Sequence, residues 1–185
     1  MKVTPSSLPE VLLVEPKVHQ DARGYFLETY HQARYADSGI RDAFVQDNVS
    51  FSSRGVLRGL HYQKPGGQGK LVSVLMGEIF DVAVEIRKGS PRFGKWFGAR
   101  LTGENHHQLW VPDGFAHGFV VLSEKALVTY KCTALYSPQT EHCVLWDDPD
   151  IGIEWPLKKE VELSGKDKLG KRLKDIPVQE LPEMR

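Results

Sequence analysis

From residue 43 to 146 the chain repeats one pattern: short runs of Val, Ile, Phe, Leu and Tyr, each closed by turn residues (RG, KPGGQG, MGE, RKGSP, TGEN, PDG, LSEK, YSPQ). This spacing is the signature of an all-β sandwich or barrel. Within it, IFDVAVEIR alternates strictly. Phe80, Val82, Val84 and Ile86 share one face, and Asp81, Glu85 and Arg87 the other. Such a strand covers a core with one side and meets solvent or a partner with the other. Residues 1 to 30 read as short strands, VLLVEPKV and GYFLETY, and residues 31 to 39 (HQARYADSG) as one short helix closed by Gly39. The tail from 158 onward is rich in Lys and Glu, and most of it reads as a solvated helix or loop. No internal repeat and no low-complexity segment interrupts the chain.

At 185 residues the chain is long enough for one domain, 1–185, with a sizeable core. Its formal net charge is +0, so nothing suggests a broad surface for nucleic acid or membrane, and any anionic ligand has to be met by a local cluster of cations. Two cysteines, Cys132 and Cys143, make no disulfide framework and read as reduced, buried thiols. The apolar run in MKVTPSSLPEVLLVEP is broken by prolines and too short for a signal peptide or a membrane span. The expectation is a soluble cytoplasmic protein.

The stretch RGLHYQKPGGQGKLV (58–72) places an imidazole among cations and glycines. A metal site, an anion-binding loop and an acid–base site all fit that composition. A second stretch, WVPDGFAHGFVVLS (110–123), carries P-x-G-x-x-H, which resembles the second half of the motif of cupins, small double-stranded β-helix barrels. The first half in metal-binding cupins is H-x-H, and here it reads His61-Tyr62-Gln63. Glutamine is a poor metal donor, and stable zinc or iron sites need three or more His, Cys or carboxylate ligands. His106 and His107 are adjacent and read as turn residues. The expectation is therefore no metal. KPGGQGK lacks the Ser or Thr of a P-loop, since Leu71 follows Lys70, and no helix pattern follows. Trp96, Trp110, Trp146 and Trp155 read as core or interface residues. What remains is an acid–base site for an anionic substrate. A histidine titrates near neutrality, a lysine can stabilise a developing oxyanion, and Arg23, Arg58 and Lys70 have no acidic run to pair with.

Five blocks carry a family resemblance: QDNVSFSSRGVLRGLHYQ, QGKLVSVLMGEIFDVAVEIRKGSPRFGKW, WVPDGFAHGFVVLS, YKCTALYSP and WDDPDIGIEWP. Together, over about residues 10 to 170, the chain resembles the dTDP-4-dehydrorhamnose 3,5-epimerase family. The resemblance implies a cupin-like jelly-roll barrel with short peripheral helices, a homodimer, no cofactor, and a dTDP-4-keto-6-deoxy sugar as substrate. It puts the catalytic base on His61, its orienting carboxylate on Asp167, the proton donor on Tyr130 and the cation beside the substrate ketone on Lys70. Arg23, Glu28, Gln46, Asn48, Arg58, His117, Glu141 and Lys166 match substrate-binding positions, and Tyr136 falls where an aromatic stacks on thymine. The family usually has Glu where this chain has Gly165, which leaves the turn before Lys166 and Asp167 open.

The implied chemistry needs these residue types. A 4-keto sugar has acidic hydrogens at C3 and C5. A base removes one to leave an enolate, an acid on the other face of the ring returns a proton, and a cation steadies the oxygen. Tyr130 shares strand parity with Val128 and Cys132, so an inward side chain is expected. Arg58 and His61 are three apart and would face opposite ways on an ideal strand. With Gly59 between them, a bulge or sharp twist is expected there. Other readings remain open: epimerisation at C3 or C5 alone, a ketoisomerase on the same barrel, or a non-catalytic nucleotide-sugar-binding barrel.

Overall fold

Every turn anticipated between 43 and 146 separates two strands. The computed structural model describes residues 1–157, 159 and 161–184. In chain order the first strands are β1 (Lys2–Pro5), β2 (Leu12–Glu15), β3 (Val18–Asp21), β4 (Gly24–Leu27), β5 (Gln46–Ser53), β6 (Val56–Gln63) and β7 (Lys70–Met76). They are followed by β8 (Glu78–Glu85), β9 (Trp96–Thr102), β10 (Gln108–Val111), β11 (Phe115–Val121), β12 (Lys125–Cys132), β13 (Glu141–Cys143) and β14 (Glu162–Leu163). The helix expected at 31–39 is α1 (Gln32–Asp37), capped by the His31 ring and followed by Gly39 at φ +101°.

The strands form two large sheets. One runs β1-β2-β10-β7-β12-β5; the other runs β13-β6-β11-β8-β9, with β14 added beside β6. The hairpin β3-β4 stands apart from both. The inner faces meet over Val72, Val74, Ile79, Ala83, Phe115, Phe119 and Val128. This is the jelly-roll architecture, with the two sheets packed face to face rather than joined into a closed barrel.

The alternation in β8 is present, but neither face meets water. Val82, Val84 and Ile86 lie under Ile151, Ile153, Trp155, Leu173, Ile176 and Leu181. On the opposite, inner face Asp81 and Glu85 are both fully buried. Asp81 is bonded to His117, and Glu85 holds the Arg87 side chain. Buried carboxylates need such partners, and period-two patterning cannot tell them from solvated ones.

The tail differs from the solvated segment expected. It forms three short 3₁₀ turns, Asp167–Leu169, Leu173–Asp175 and Val178–Glu180, laid over the second sheet. Leu173, Ile176 and Leu181 are buried against it, while the Lys and Glu residues between them stay largely exposed. These apolar residues, interrupted by Pro177, stand among charged ones, so the segment reads as polar. Each buried aliphatic nevertheless contributes about 1.5–3 kcal/mol. Positions 158, 160 and 185 lie outside the described residues. Trp110 is buried in a separate cluster with Leu12, Val14 and Tyr35, while Trp155 is buried in the core on which Trp96 and Trp146 pack.

Candidate active site

Between the two sheets lies a cavity of about 480 Å³. Strand parity explains its lining. On β5, Gln46, Asn48 and Ser52 point inward while Val49 and Phe51 point out and are exposed. On β12, Tyr130 lines the cavity, Val128 and Cys132 share its buried face, and Lys131 turns outward to Asp47.

The irregularity expected between Arg58 and His61 is present. His61 sits opposite His117 and Arg58 opposite Phe119, so three steps on β6 match two on β11. The extra residue lets both Arg58 and His61 line the cavity. Gly59 has φ +124°, and a Cβ there would lie 2.5 Å from the Gly118 Cα. Only glycine fits that approach. Arg58 donates to the Ser52 hydroxyl at 3.1 and 3.0 Å.

His61 Nε2 is 2.5 Å from Asp167 Oδ1. Burial favours a neutral Asp167. That effect is outweighed by hydrogen bonds from His61 and Ser164 and by the electrostatic pull of the His61 ring and the Lys166 ammonium, so its carboxyl lies below the usual range. An ionised Asp167 holds the proton on Nε2, which leaves Nδ1 with a free lone pair. Ser164 was not apparent from the sequence. Its hydroxyl donates to Asp167 Oδ2 at 2.7 Å and accepts the Asp167 N–H at 3.1 Å. The S-x-x-D spacing was the available signal. Position 165 has open space around a would-be Cβ, so the turn that presents Lys166 and Asp167 does not depend on a glycine.

The opposite wall belongs to the other sheet. Tyr130 comes from β12 and Lys70 from the start of β7. Burial pushes the Tyr130 hydroxyl up, reinforced by Cys132 and Glu141 and opposed by Arg58 and Lys166, so it stays protonated at neutral pH. Lys70 is buried, and among the described residues its one hydrogen bond is to the Gln68 carbonyl at 3.2 Å. Burial lowers its pKa, against the pull of Cys132, Glu141, Asp113 and Asp81. Such a cation is drawn toward any negative charge that develops in the cavity.

Around this pair stand Tyr136, Glu141, Lys166 and His117. Lys166 Nζ bridges both Glu141 oxygens at 2.8 and 2.7 Å, and the Tyr136 hydroxyl donates to Glu141 at 3.0 Å. His117 is held by buried Asp81 at 2.7 Å, a partner the sequence reading did not assign. Gln63, in the place of a cupin ligand, is engaged at both ends of its amide. It donates to the Leu135 carbonyl and accepts the Ser137 N–H, fixing the loop beside Tyr136.

Two expected binding residues lie elsewhere. Arg23 is on the exposed β3-β4 hairpin, ion-paired with Asp21 at 2.6 Å. Glu28 accepts from Arg34 at 2.7 Å. Neither lines the cavity of its own chain.

The sequence model of dTDP-4-dehydrorhamnose 3,5-epimerase matches residues 5–175. The chain belongs to the dTDP-4-dehydrorhamnose 3,5-epimerase family. A Pseudomonas aeruginosa enzyme of that name is 53% identical over 176 residues, 95% of this chain and 97% of its own. One from Neisseria gonorrhoeae is 53% identical over 171 residues, 92% of this chain but 52% of the relative's own length. Among solved structures, the Legionella pneumophila dTDP-6-deoxy-D-glucose-3,5-epimerase in complex with dTDP-4-keto-L-rhamnose superposes with a TM-score of 0.97. It is 51% identical and covers 100% of this chain and 98% of that one. This epimerase-family chain is thus an isomerase with the cupin-like fold of its relatives.

Proposed function

We propose that the protein inverts C3 and C5 of dTDP-4-dehydro-6-deoxy-D-glucose to give dTDP-4-dehydro-L-rhamnose, by proton transfer through an enolate. The observation that carries the reading is the placement of a His–carboxylate pair and a protonated tyrosine on opposite walls of one cavity, with a buried lysine on the tyrosine's wall. His61 Nδ1 removes the proton beside the ketone while Asp167 steadies the imidazolium that forms. Lys70 meets the negative charge on the ketone oxygen. Tyr130 returns a proton to the other face of the ring, which inverts the centre. Arg58, His117, Gln46, Asn48, Glu141 and Lys166 bind the nucleotide sugar, and Tyr136 stacks on the thymine. No metal or cofactor enters these steps.

Arg23 and Glu28 join this binding set in a homodimer, the assembly that suits the exposed apolar surface. Tyr25 and Phe26 on the hairpin are 54% and 71% exposed, and Val49 and Phe51 on β5 are 66% and 56% exposed. A hairpin that reaches a second copy would carry Arg23 toward the phosphates, where a guanidinium fork suits the oxygens. A soluble, cytoplasmic setting fits a nucleotide-sugar substrate, and among the described residues no helix is long and apolar enough to cross a membrane.

The test is incubation with the 4-keto substrate in deuterated water. The reading expects label at C3 and at C5, and none at either carbon with His61→Ala, whose nucleotide binding persists. Label at one carbon in the wild type would make the protein a single-position epimerase. Wild-type uptake by His61→Ala would remove His61 as base.

A further inference from the structure

The edge of the second sheet holds one donor atom, the Cys143 sulfur, that the epimerisation does not use. Cys143 on β13 is the direct cross-strand neighbour of His61 on β6, so both side chains leave the same face of the sheet. Asp167 reaches the same point from the tail. One donor atom from each of His61, Cys143 and Asp167 can be chosen so that all lie within 4.8 Å of one another. The Cys143 sulfur has no strong partner: its contacts are the Gly59 and Val144 carbonyls at 3.8 and 3.6 Å.

Nitrogen, sulfur and carboxylate oxygen are the donor types of tetrahedral zinc. Bonds of about 2.0–2.3 Å place zinc ligands about 3.5 Å apart, so side-chain shifts of about an ångström would bring these three onto one ion. The fourth position would go to water or substrate. We propose that a thiophilic divalent cation such as Zn²⁺ binds His61, Cys143 and Asp167 and inhibits the enzyme by taking the place of the proton between His61 and Asp167. This site shares His61 with the cupin metal motif but replaces its second histidine position, where Gln63 is committed to a loop, with Cys143 and Asp167. Binding releases the thiol proton, the ring proton of His61 moves from Nε2 to Nδ1 so that the base is blocked, and no electron is transferred. Burial, with the Asp167 charge, pushes the Cys143 thiol up to about 12. An ion must therefore gain enough from sulfur to displace that proton. Zinc and cadmium do, while Mg²⁺ and Ca²⁺ prefer oxygen and gain little there.

The inhibition rests on His61 being the base, but the binding does not, so the two are measured separately. Calorimetric titration with Zn²⁺ is expected to give one site per chain in the wild-type protein and at least tenfold weaker binding in Cys143→Ser and Cys143→Ala. Both variants keep basal turnover, since Cys143 takes no part in the proposed proton transfers. Turnover of the wild type falls as the site fills and returns on adding EDTA, whereas Mg²⁺ has no effect. Co²⁺ in place of Zn²⁺ should give a thiolate-to-cobalt charge-transfer band in the wild type that is absent from Cys143→Ala. Equal zinc affinity in the wild type and the cysteine variants, or no binding, would overturn the site. It would leave the role of His61 untouched, because that role is read from deuterium uptake by His61→Ala. Cys143-dependent zinc binding with undiminished turnover would overturn the inhibition.

Discussion

In the proposed mechanism Lys70 carries its charge when the enolate forms, and its surroundings push it toward losing that charge. Burial lowers its pKa, while burial raises those of Tyr130, Cys132 and Cys143. The sign of the pH dependence follows. As pH rises, Lys70 deprotonates below the ordinary lysine range, and kcat falls with it. The account predicts an alkaline limb in kcat that Lys70→Arg removes, because a guanidinium stays charged, even though overall activity drops with the changed geometry. A kcat–pH profile of both proteins checks this. An identical limb in the variant would assign it to another group. The sequence made Lys70 visible as a cation in a turn. It could not show that Lys70 is buried, since that depends on β12 and β10 closing over β7 from distant parts of the chain.

At the scale of the element, β6 sets the site. An unbroken strand would send Arg58 and His61 to opposite faces; the bulge at Gly59 brings both into the cavity. Gly59→Ala combines a left-handed backbone conformation with a Cβ 2.5 Å from the Gly118 Cα and 2.7 Å from the His117 carbonyl oxygen. Strain and overpacking of this kind cost about 1–3 kcal/mol each. The variant should lose stability by about 2–6 kcal/mol in denaturant titration and misalign the His61 side chain. Stability within 0.5 kcal/mol of the wild type, about the range of neutral surface changes, would mean that the bulge does not need its glycine. Here the sequence was informative: a three-residue separation conflicts with period-two geometry, and a glycine lies inside it. Ser164 was less legible. A lone Ser three residues before an Asp is common in loops, and only the fold shows that it fixes the carboxylate behind His61.

At the scale of the whole molecule, the two sheets enclose the cavity while the hairpin carrying Arg23 stands outside it. A monomer leaves Phe26, Tyr25, Val49 and Phe51 in water, a larger apolar display than isolated surface residues. Phe26→Asp should cost the monomer little stability, because the ring packs on little within its own chain. It should weaken the proposed homodimer in sedimentation analysis and raise KM by about tenfold or more, with a smaller change in kcat. A monomeric wild type with full activity would contradict this. The strand pattern, the helix at 31–39 and most cavity residues were readable from local periodicity and from the quoted blocks. The covering of the second sheet by the tail was not. It rests on Leu173, Ile176 and Leu181, which meet Val84 and Ile86 only after the chain has folded.

In the proposed mechanism base and acid are different residues on opposite walls of the cavity. Tyr130→Phe separates them. The variant keeps His61, Asp167 and Lys70, so it still forms the enolate, and the enolate can regain a proton only from the face that lost it. In deuterated water, folded Tyr130→Phe should continue to exchange deuterium into substrate of unchanged configuration. Its rate of inversion should fall by about 10²–10⁴, the usual contribution of one general acid. Exchange and inversion falling together, in proportion to folded protein, would reduce Tyr130 to a packing residue and contradict the account.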